Sequence, residues 1–395
     1  MSTYLPADEA ARRLGVSKPT LYAYVSRGLL RSRAQPGTRA REYAAADVEA
    51  LLQRKQARRD PAAAAASALG VAGLPVLDSA LSSINDGQLR YRGRDVVRLA
   101  REETIEAVAA LLWDGELPDE PALSSPATIA RALRSLPPVA AMHGWLVAAG
   151  ARDDAAYNLT PDGVRRTGAR IVRGLAQVAA GFTRPAGGRI AEVLAAGWRP
   201  RGDEATRELE AALILSADHE LNVSAFTARC VASARATPYM VVTAALAALQ
   251  GHRHGGETLR TAAMLDEPGA PTRVIAARLE RGERIPGFGH PLYPEGDPRA
   301  RALLSLARPG RPLARARAFV KAARALLDSE PTLDLGLVAL ARSLELPQHA
   351  ALSLFAVGRA VGWIAHALEQ YAVEPMIRPR ARYVGPPPID APLRG

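Results

Sequence analysis

The sequence predicts a mainly α protein: a large all-helical body preceded by a small basic domain. Three observations predict it. The chain has 395 residues, 48% of them apolar, which is ample for a large buried core and too long for one small domain. The apolar residues are mostly Ala, Leu and Val, aromatics make up 5%, and long β-branched alternating runs are scarce. The charge is uneven: residues 1–60 hold 12 Lys/Arg against 6 Asp/Glu, so +6 of the net +11 lies in the first sixth of the chain.

The N-terminal elements follow in order. Leu5 to Leu14 reads as a short helix with Ala10, Ala11 and Leu14 at helical spacing, stopped by Gly15. Ser17 is an N-cap for a second helix, Lys18 to Arg27, with Pro19 in its first turn and Gly28 closing it. Helix, Gly-containing turn, helix is the helix-turn-helix pattern. The second helix is expected to expose Lys18, Thr20, Tyr22 and Tyr24. Arg31 to Tyr43 is basic with a Pro36-Gly37 turn, which predicts a β-hairpin wing. Ala45 to Arg58 reads as a third helix with Val48, Leu51 and Leu52 inward. The run "AARRLGVSKPTLYAYVSRGLL" resembles the winged helix-turn-helix of MerR-type and excisionase-type regulators, over residues 1–60. The resemblance implies duplex DNA as a partner. Arg12, Arg13, Lys18, Arg27, Arg31 and the wing residues Arg33, Arg39 and Arg41 would meet phosphates, and Thr20, Tyr22 and Tyr24 base edges. The plainer reading is a helical appendage that touches no nucleic acid.

Residues 61–74 are small and uncharged and read as a linker, and residues 75–395 form the body. Ser82–Gly93 carries an Asn85-Asp86-Gly87 turn between two short runs, a hairpin signal. After Asp95 the pattern is helical almost to the end, with turn clusters near 117–127, 152–163, 183–188, 268–271 and 284–298.

Some classes are disfavoured. The single cysteine, Cys230, allows no disulfide within the chain, which fits a reducing cytoplasm. No cationic start with an apolar stretch and cleavage site is present. The longest uncharged apolar stretch, Pro238 to Leu249, falls short of the ~20 residues that span a bilayer, so no membrane partner is expected. Nothing resembles a P-loop or a complete GxGxxG.

Seven histidines are present. His143, His349 and His366 sit in helical patterns and read as packing or surface groups. His219 lies in "SADHELNVSAFTAR" between two acids, His254 in "GHRHGGE", and His290 in "PGFGHPLYPEGDPR". Glycines beside the last two let a ligand approach the backbone closely. Each alone could cap a helix or satisfy a turn. His252-x-His254 with His219, His290 and Asp334 could also be read as metal ligands of a hydrolase, but no HExxH or CxxC supports this, so no metal is expected.

Together, the order ADHELNxS, HGG, GFGH…DPR resembles the citrate synthase family. "PTLDLGLVALARSLELP" (331–347), "FAVGRAVGWIAHALEQ" (355–370) and "IRPRARYVGP" (377–386) match its later segments, and "SSINDGQLRYRGRDV" its opening one. The resemblance implies a large helical domain with a small inserted subdomain at about 185–290. It also implies condensation of acetyl-CoA, or propionyl-CoA, with oxaloacetate and water to give citrate, or 2-methylcitrate, and CoA. No cofactor is implied beyond that acyl-CoA. By the same resemblance Asp334 is the enolising base, His254 the neutral donor to the enolate oxygen and His290 the proton donor to the ketone. His219, Arg299, Arg359 and Arg378 would bind oxaloacetate, with Arg378 serving the partner's site in a homodimer. The sequence departs from the family at Pro291 and Pro294, where basic residues are common, and at Thr332, Leu335 and Gly336 beside the base, which leaves acetyl against propionyl open. The alternative function is a DNA-binding transcriptional regulator that uses the synthase-like body as a metabolite sensor.

Overall fold

The computed structural model describes residues 4–17, 20–21, 24–25, 30–34, 41–45, 47–48, 51, 77–124, 126–182, 188–373, 376–378 and 385. The chain divides into two compact units, Met1–Asp78 and Ser79–Gly395. The expected linker at 61–74 lies outside the described residues.

In the first unit β1 (Tyr4–Pro6) leads directly into α1 (Ala7–Leu14). β2 (Ser32–Ala34) and β1 both pair antiparallel with β3 (Arg41–Ala44), giving the order β1-β3-β2. This corrects one reading: Leu5 and Pro6 belong to β1 and not to the helix, which starts at Ala7. Leu5 pairs with Tyr43 across the sheet and both are buried, and Pro6 holds an extended conformation (φ −59°, ψ 154°) ahead of the first helical turn. Tertiary pairing overrides the helical spacing there. The wing is present as β2–β3, although its turn lies outside the described residues. Gly15 ends α1 in the left-handed region (φ 59°) and caps Ala11 and Arg12 carbonyls. A small core of Leu5, Ala10, Leu14, Leu21, Leu30, Tyr43 and Val48 holds this unit together.

The second unit starts with a meander, β4 (Ser82–Asn85), β5 (Gln88–Tyr91) and β6 (Arg94–Asp95). Asp86 and Gly87 both have positive φ (52° and 70°), the two-residue mirror-image turn that matches strand twist. Helices follow: α2 (Val96–Glu102), α3 (Ile105–Trp113), α4 (Ala127–Arg134), α5 (Pro138–Gly150), α6 (Pro161–Ala179), α7 (Ile190–Trp198) and α8 (Ala205–Ser216). Then come α9 (Val223–Ser233), α10 (Pro238–Leu249), α11 (Glu257–Asp266), α12 (Pro271–Glu280), α13 (Pro298–Leu306), α14 (Arg311–Leu327), α15 (Leu333–Ser343) and α16 (Ala350–Tyr371). Thr-Pro pairs start α6 and α10: the Thr hydroxyl accepts the Gly163 or Met240 amide while proline fills the first helical position, where no amide is needed.

α16 is the axis of the body. It packs on α3, α6, α8, α9, α10 and α15 and is buried along almost its whole length. It is long and apolar enough to cross a membrane by length and composition alone, yet those residues face the protein interior. The close approach to α8 requires glycine: a Cβ at Gly358 would stand 2.4 Å from the Leu213 carbonyl oxygen, and one at Gly362 2.2 Å from that of Ala217.

Candidate active site

Three loops of the second unit bring the chemistry-bearing residues together. His219 sits in the turn between α8 and α9, where Glu220 adopts a positive φ of 47°. Asn222 closes that turn, its Oδ1 accepting the Ser224 and Ala225 amides at 3.1 and 3.2 Å. His254 sits between α10 and α11, followed by Gly255 and Gly256, whose absent Cβ atoms leave room for Leu249 and the Gln250 carbonyl. His290 sits between α12 and α13. The Gly287-Phe288-Gly289 stretch zips onto the segment before α15: Gly289 N donates to Glu330 O and Thr332 N to Gly287 O, both at 2.9 Å. That ladder brings the His290 loop beside the start of α15, which carries Asp334 in its first turn.

His219, His290 and Tyr293 form a mutually contacting ring cluster. Centroids lie 5.1 Å apart for His219–His290 and His290–Tyr293, and 5.6 Å for His219–Tyr293. The Tyr293 hydroxyl is 2.9 Å from His219 Nε2, and His290 Nδ1 accepts the Leu292 amide at 3.2 Å. His254 Nε2 lies 2.8 Å from Ser224 Oγ, which also accepts the Trp363 indole N–H at 3.1 Å and lies 2.8 Å from Asn222 Oδ1. The Phe355 ring stands edge-on to His254 (5.8 Å) and beneath the Arg359 guanidinium (4.9 Å).

Two arginines are buried here. Arg299 forks onto Asp297 through Nε (3.0 Å) and Nη2 (2.8 Å), and Asp297 also accepts the Leu333 amide at 3.0 Å, tying α13 to α15. Arg359 donates from Nε to the Ser216 carbonyl at 2.7 Å. Beneath the His219 turn, Asp218 is fully buried, held by Ser82 (2.5 Å) and His366 (3.2 Å).

Burial sets the protonation states. It pushes the His254 imidazole down to about 3, with the Arg359 charge adding to the effect. It pushes His290 down to about 4, with Arg299 adding, and holds His219 well below its ordinary value. All three are neutral at pH 7. Burial raises the Asp334 carboxyl to about 7, assisted by the like charge of Glu257 and opposed by the Thr332 hydroxyl, which donates to Oδ2 at 3.2 Å. Asp334 Oδ1 is buried with no hydrogen-bond partner among the described residues. Burial lowers Arg359 to about 10, which leaves it charged.

Among the sequence-predicted residues, His219, His290 and Arg299 gather around Tyr293, and His254 and Arg359 around Phe355. Arg378 is exposed and makes no hydrogen bond or ion pair to any described residue. His252 is exposed, and among the described residues no three His, Cys, Asp or Glu side chains group as metal ligands would. Tyr293, Ser224, Asp297 and Asp218 were not singled out from sequence, although all four lie inside the quoted motifs.

In the first unit Arg12 is exposed and Arg13, also exposed, pairs with Glu9 at 2.7 Å. Arg31 forks onto Asp47, and Arg33 pairs with Glu42 and stacks on Tyr4. Thr20 shares a hydrogen bond with Ser17. Tyr24, expected on the exposed side of its helix, is half-buried against the small core. Lys18, Tyr22, Arg27 and Arg39 lie outside the described residues.

The family pattern described as citrate synthase, C-terminal domain, matches residues 70–380, and a helix-turn-helix domain pattern matches residues 4–56. Citrate synthase 2 of Bacillus subtilis is 33% identical over 357 residues, covering 80% of this chain and 95% of that protein. 2-Methylcitrate synthase 1 of Corynebacterium glutamicum is 28% identical over 341 residues, covering 75% and 89%. The crystal structure of citrate synthase from Thermotoga maritima superposes with a TM-score of 0.69 at 27% identity, covering 81% of this chain and 96% of that one.

Proposed function

The chain belongs to the citrate synthase family, and on that premise we propose that it condenses an acyl-CoA with oxaloacetate and water, with Asp334, His254 and His290 carrying the chemistry. The family chemistry needs no cofactor beyond the acyl-CoA. The observation that carries the reading is the buried Oδ1 of Asp334, without a hydrogen-bond partner among the described residues, on a carboxyl poised near neutral pH. Ionised Asp334 takes a proton from the carbon next to the thioester carbonyl. Neutral His254 donates a hydrogen bond to the carbonyl oxygen as the enolate forms. The new nucleophilic carbon attacks the ketone carbon of oxaloacetate, forming the carbon–carbon bond, and His290 supplies a proton to the developing alkoxide. Water then cleaves the thioester, releasing the CoA thiol and citrate or 2-methylcitrate. Arg299, Arg359 and His219 bind the two oxaloacetate carboxylates, and Arg378 reaches the partner's site in a homodimer. Release of free thiol from acetyl-CoA and propionyl-CoA, each with oxaloacetate, tests the reading. Release from neither overturns it.

A second reading is favoured by the helix-turn-helix match at 4–56 and by the basic charge there: the first unit binds duplex DNA. Each neutralised phosphate contributes roughly 0.9 to the log–log salt slope. A salt titration on duplex fragments, comparing the full chain with residues 75–395, discriminates. Equal binding by both, or none by the full chain at low salt, removes DNA from the account.

A further inference from the structure

We propose that Tyr293 is a positioning residue that locks His219 into the Nδ1-protonated tautomer, so that His219 presents an N–H donor to the anionic substrate. The inference rests on the oxaloacetate reading above for the identity of that substrate, and on geometry for the rest.

Tyr293 is 2% exposed, and its ring touches His219 and His290 and lies 5.5 Å from the Arg299 guanidinium carbon. A buried phenol must place its proton on an acceptor, because a buried donor left unpaired keeps its full desolvation penalty. Among the described residues the only acceptor bonded to the Tyr293 hydroxyl is His219 Nε2, at 2.9 Å. Burial raises the phenol, which therefore stays protonated, and keeps the imidazole neutral. The phenol donates and Nε2 accepts. A neutral imidazole accepting at Nε2 carries its hydrogen on Nδ1. Nδ1 makes no hydrogen bond to any described residue, so that N–H is available for a ligand oxygen.

The neighbouring ring is set the other way. His290 Nδ1 accepts the Leu292 amide, so its hydrogen is on Nε2. Two neutral imidazoles 5.1 Å apart thus hold opposite tautomers, each fixed by a protein hydrogen bond. An anion with carboxylate and ketone oxygens meets two donors and no lone pair. Without the phenol, His219 could turn an acceptor lone pair toward that anion.

The test is long-range proton–nitrogen NMR of histidine-labelled full-length protein without substrate, the His219 signals being identified by their loss in His219→Asn. Wild type is expected to show a protonated Nδ1 and an unprotonated Nε2 through pH 6–8. Tyr293→Phe keeps the ring and is expected to give a mixed or reversed tautomer. Its KM for oxaloacetate is expected to rise about tenfold with kcat little changed, the signature of lost binding rather than lost chemistry. A wild-type His219 protonated at Nε2 overturns the proposal without recourse to any variant. So does a Tyr293→Phe protein with both the wild-type tautomer and the wild-type KM. Failure of wild-type protein to bind oxaloacetate by calorimetry would instead overturn the substrate reading, and the NMR result separates the two.

Discussion

Gly287 and Thr332 are joined by a 2.9 Å backbone hydrogen bond, and through it the loop of His290 is held to the segment that begins the helix of Asp334. The bond depends on a backbone shape that only glycine takes easily, since Gly287 has φ 81°. A Cβ there would stand 2.9 Å from Thr261 Cγ2 and Oγ1. Gly287→Ala is expected to cost about 2–4 kcal/mol, the sum of left-handed backbone strain and overpacking. Denaturant midpoints measure this; a change under about 0.5 kcal/mol would show that the loop accommodates a side chain.

Ser224 decides which face of His254 is a donor. It receives the Trp363 N–H, and its single hydrogen goes either to Asn222 Oδ1 or to His254 Nε2. Only in the second case does His254 carry its hydrogen on Nδ1, as the enolate donor must if Nε2 is engaged by serine. Ser224→Ala is expected to lower kcat roughly tenfold, about one hydrogen bond's worth, with oxaloacetate affinity retained. Steady-state kinetics with calorimetry checks it, and an unchanged kcat would free His254 from that partner.

The acid limb of kcat/KM is expected near pH 7. A base whose carboxyl is raised to about 7 is protonated and inactive below that pH and becomes competent as the pH rises through it. His254 and His290, at about 3 and 4, do not titrate in this range. Glu257 raises Asp334 by like charge, so Glu257→Gln is expected to move the limb to lower pH. A limb that stays in place, or moves upward, would contradict the electrostatic account of the base.

Much of this site was legible because its residues come in short motifs with turn-forming neighbours: His254 before Gly255-Gly256, and His290 after Gly287-Phe288-Gly289. The helical body was legible from Ala/Leu/Val-rich segments. What was hidden is contact between distant segments. Leu5 and Pro6 read as helix because their strand partner is Tyr43 and Glu42, more than thirty positions on. Tyr293 read as one more loop residue, since its bond to His219 spans 74 positions. The elevated Asp334 carboxyl follows from burial and Glu257, which no local pattern reveals. The Asp297–Arg299 fork was within reach: two residues apart at a Pro-started helix, they could have been paired from "DPR".

The proposed homodimer makes a sharper statement about Arg378, which is exposed and makes no ion pair to any described residue. If it completes the partner's site, Arg378→Ala and Asp334→Asn subunits are each inactive as homodimers, and mixing them restores activity through hybrids holding one intact site. Subunit exchange followed by a thiol-release assay measures this. Proven exchange without recovery would place each site within one subunit.

The proposed mechanism starts with proton removal by Asp334, and the turnover of Asp334→Asn measures that step. The substitution keeps the size of the side chain and removes its capacity to act as a base. With acyl-CoA and oxaloacetate saturating, kcat is expected to fall by about 10²–10⁴, the usual contribution of a positioned general base, while oxaloacetate affinity measured by calorimetry remains near wild type. Near-wild-type kcat in a folded, oxaloacetate-binding Asp334→Asn protein would show that another group removes the proton.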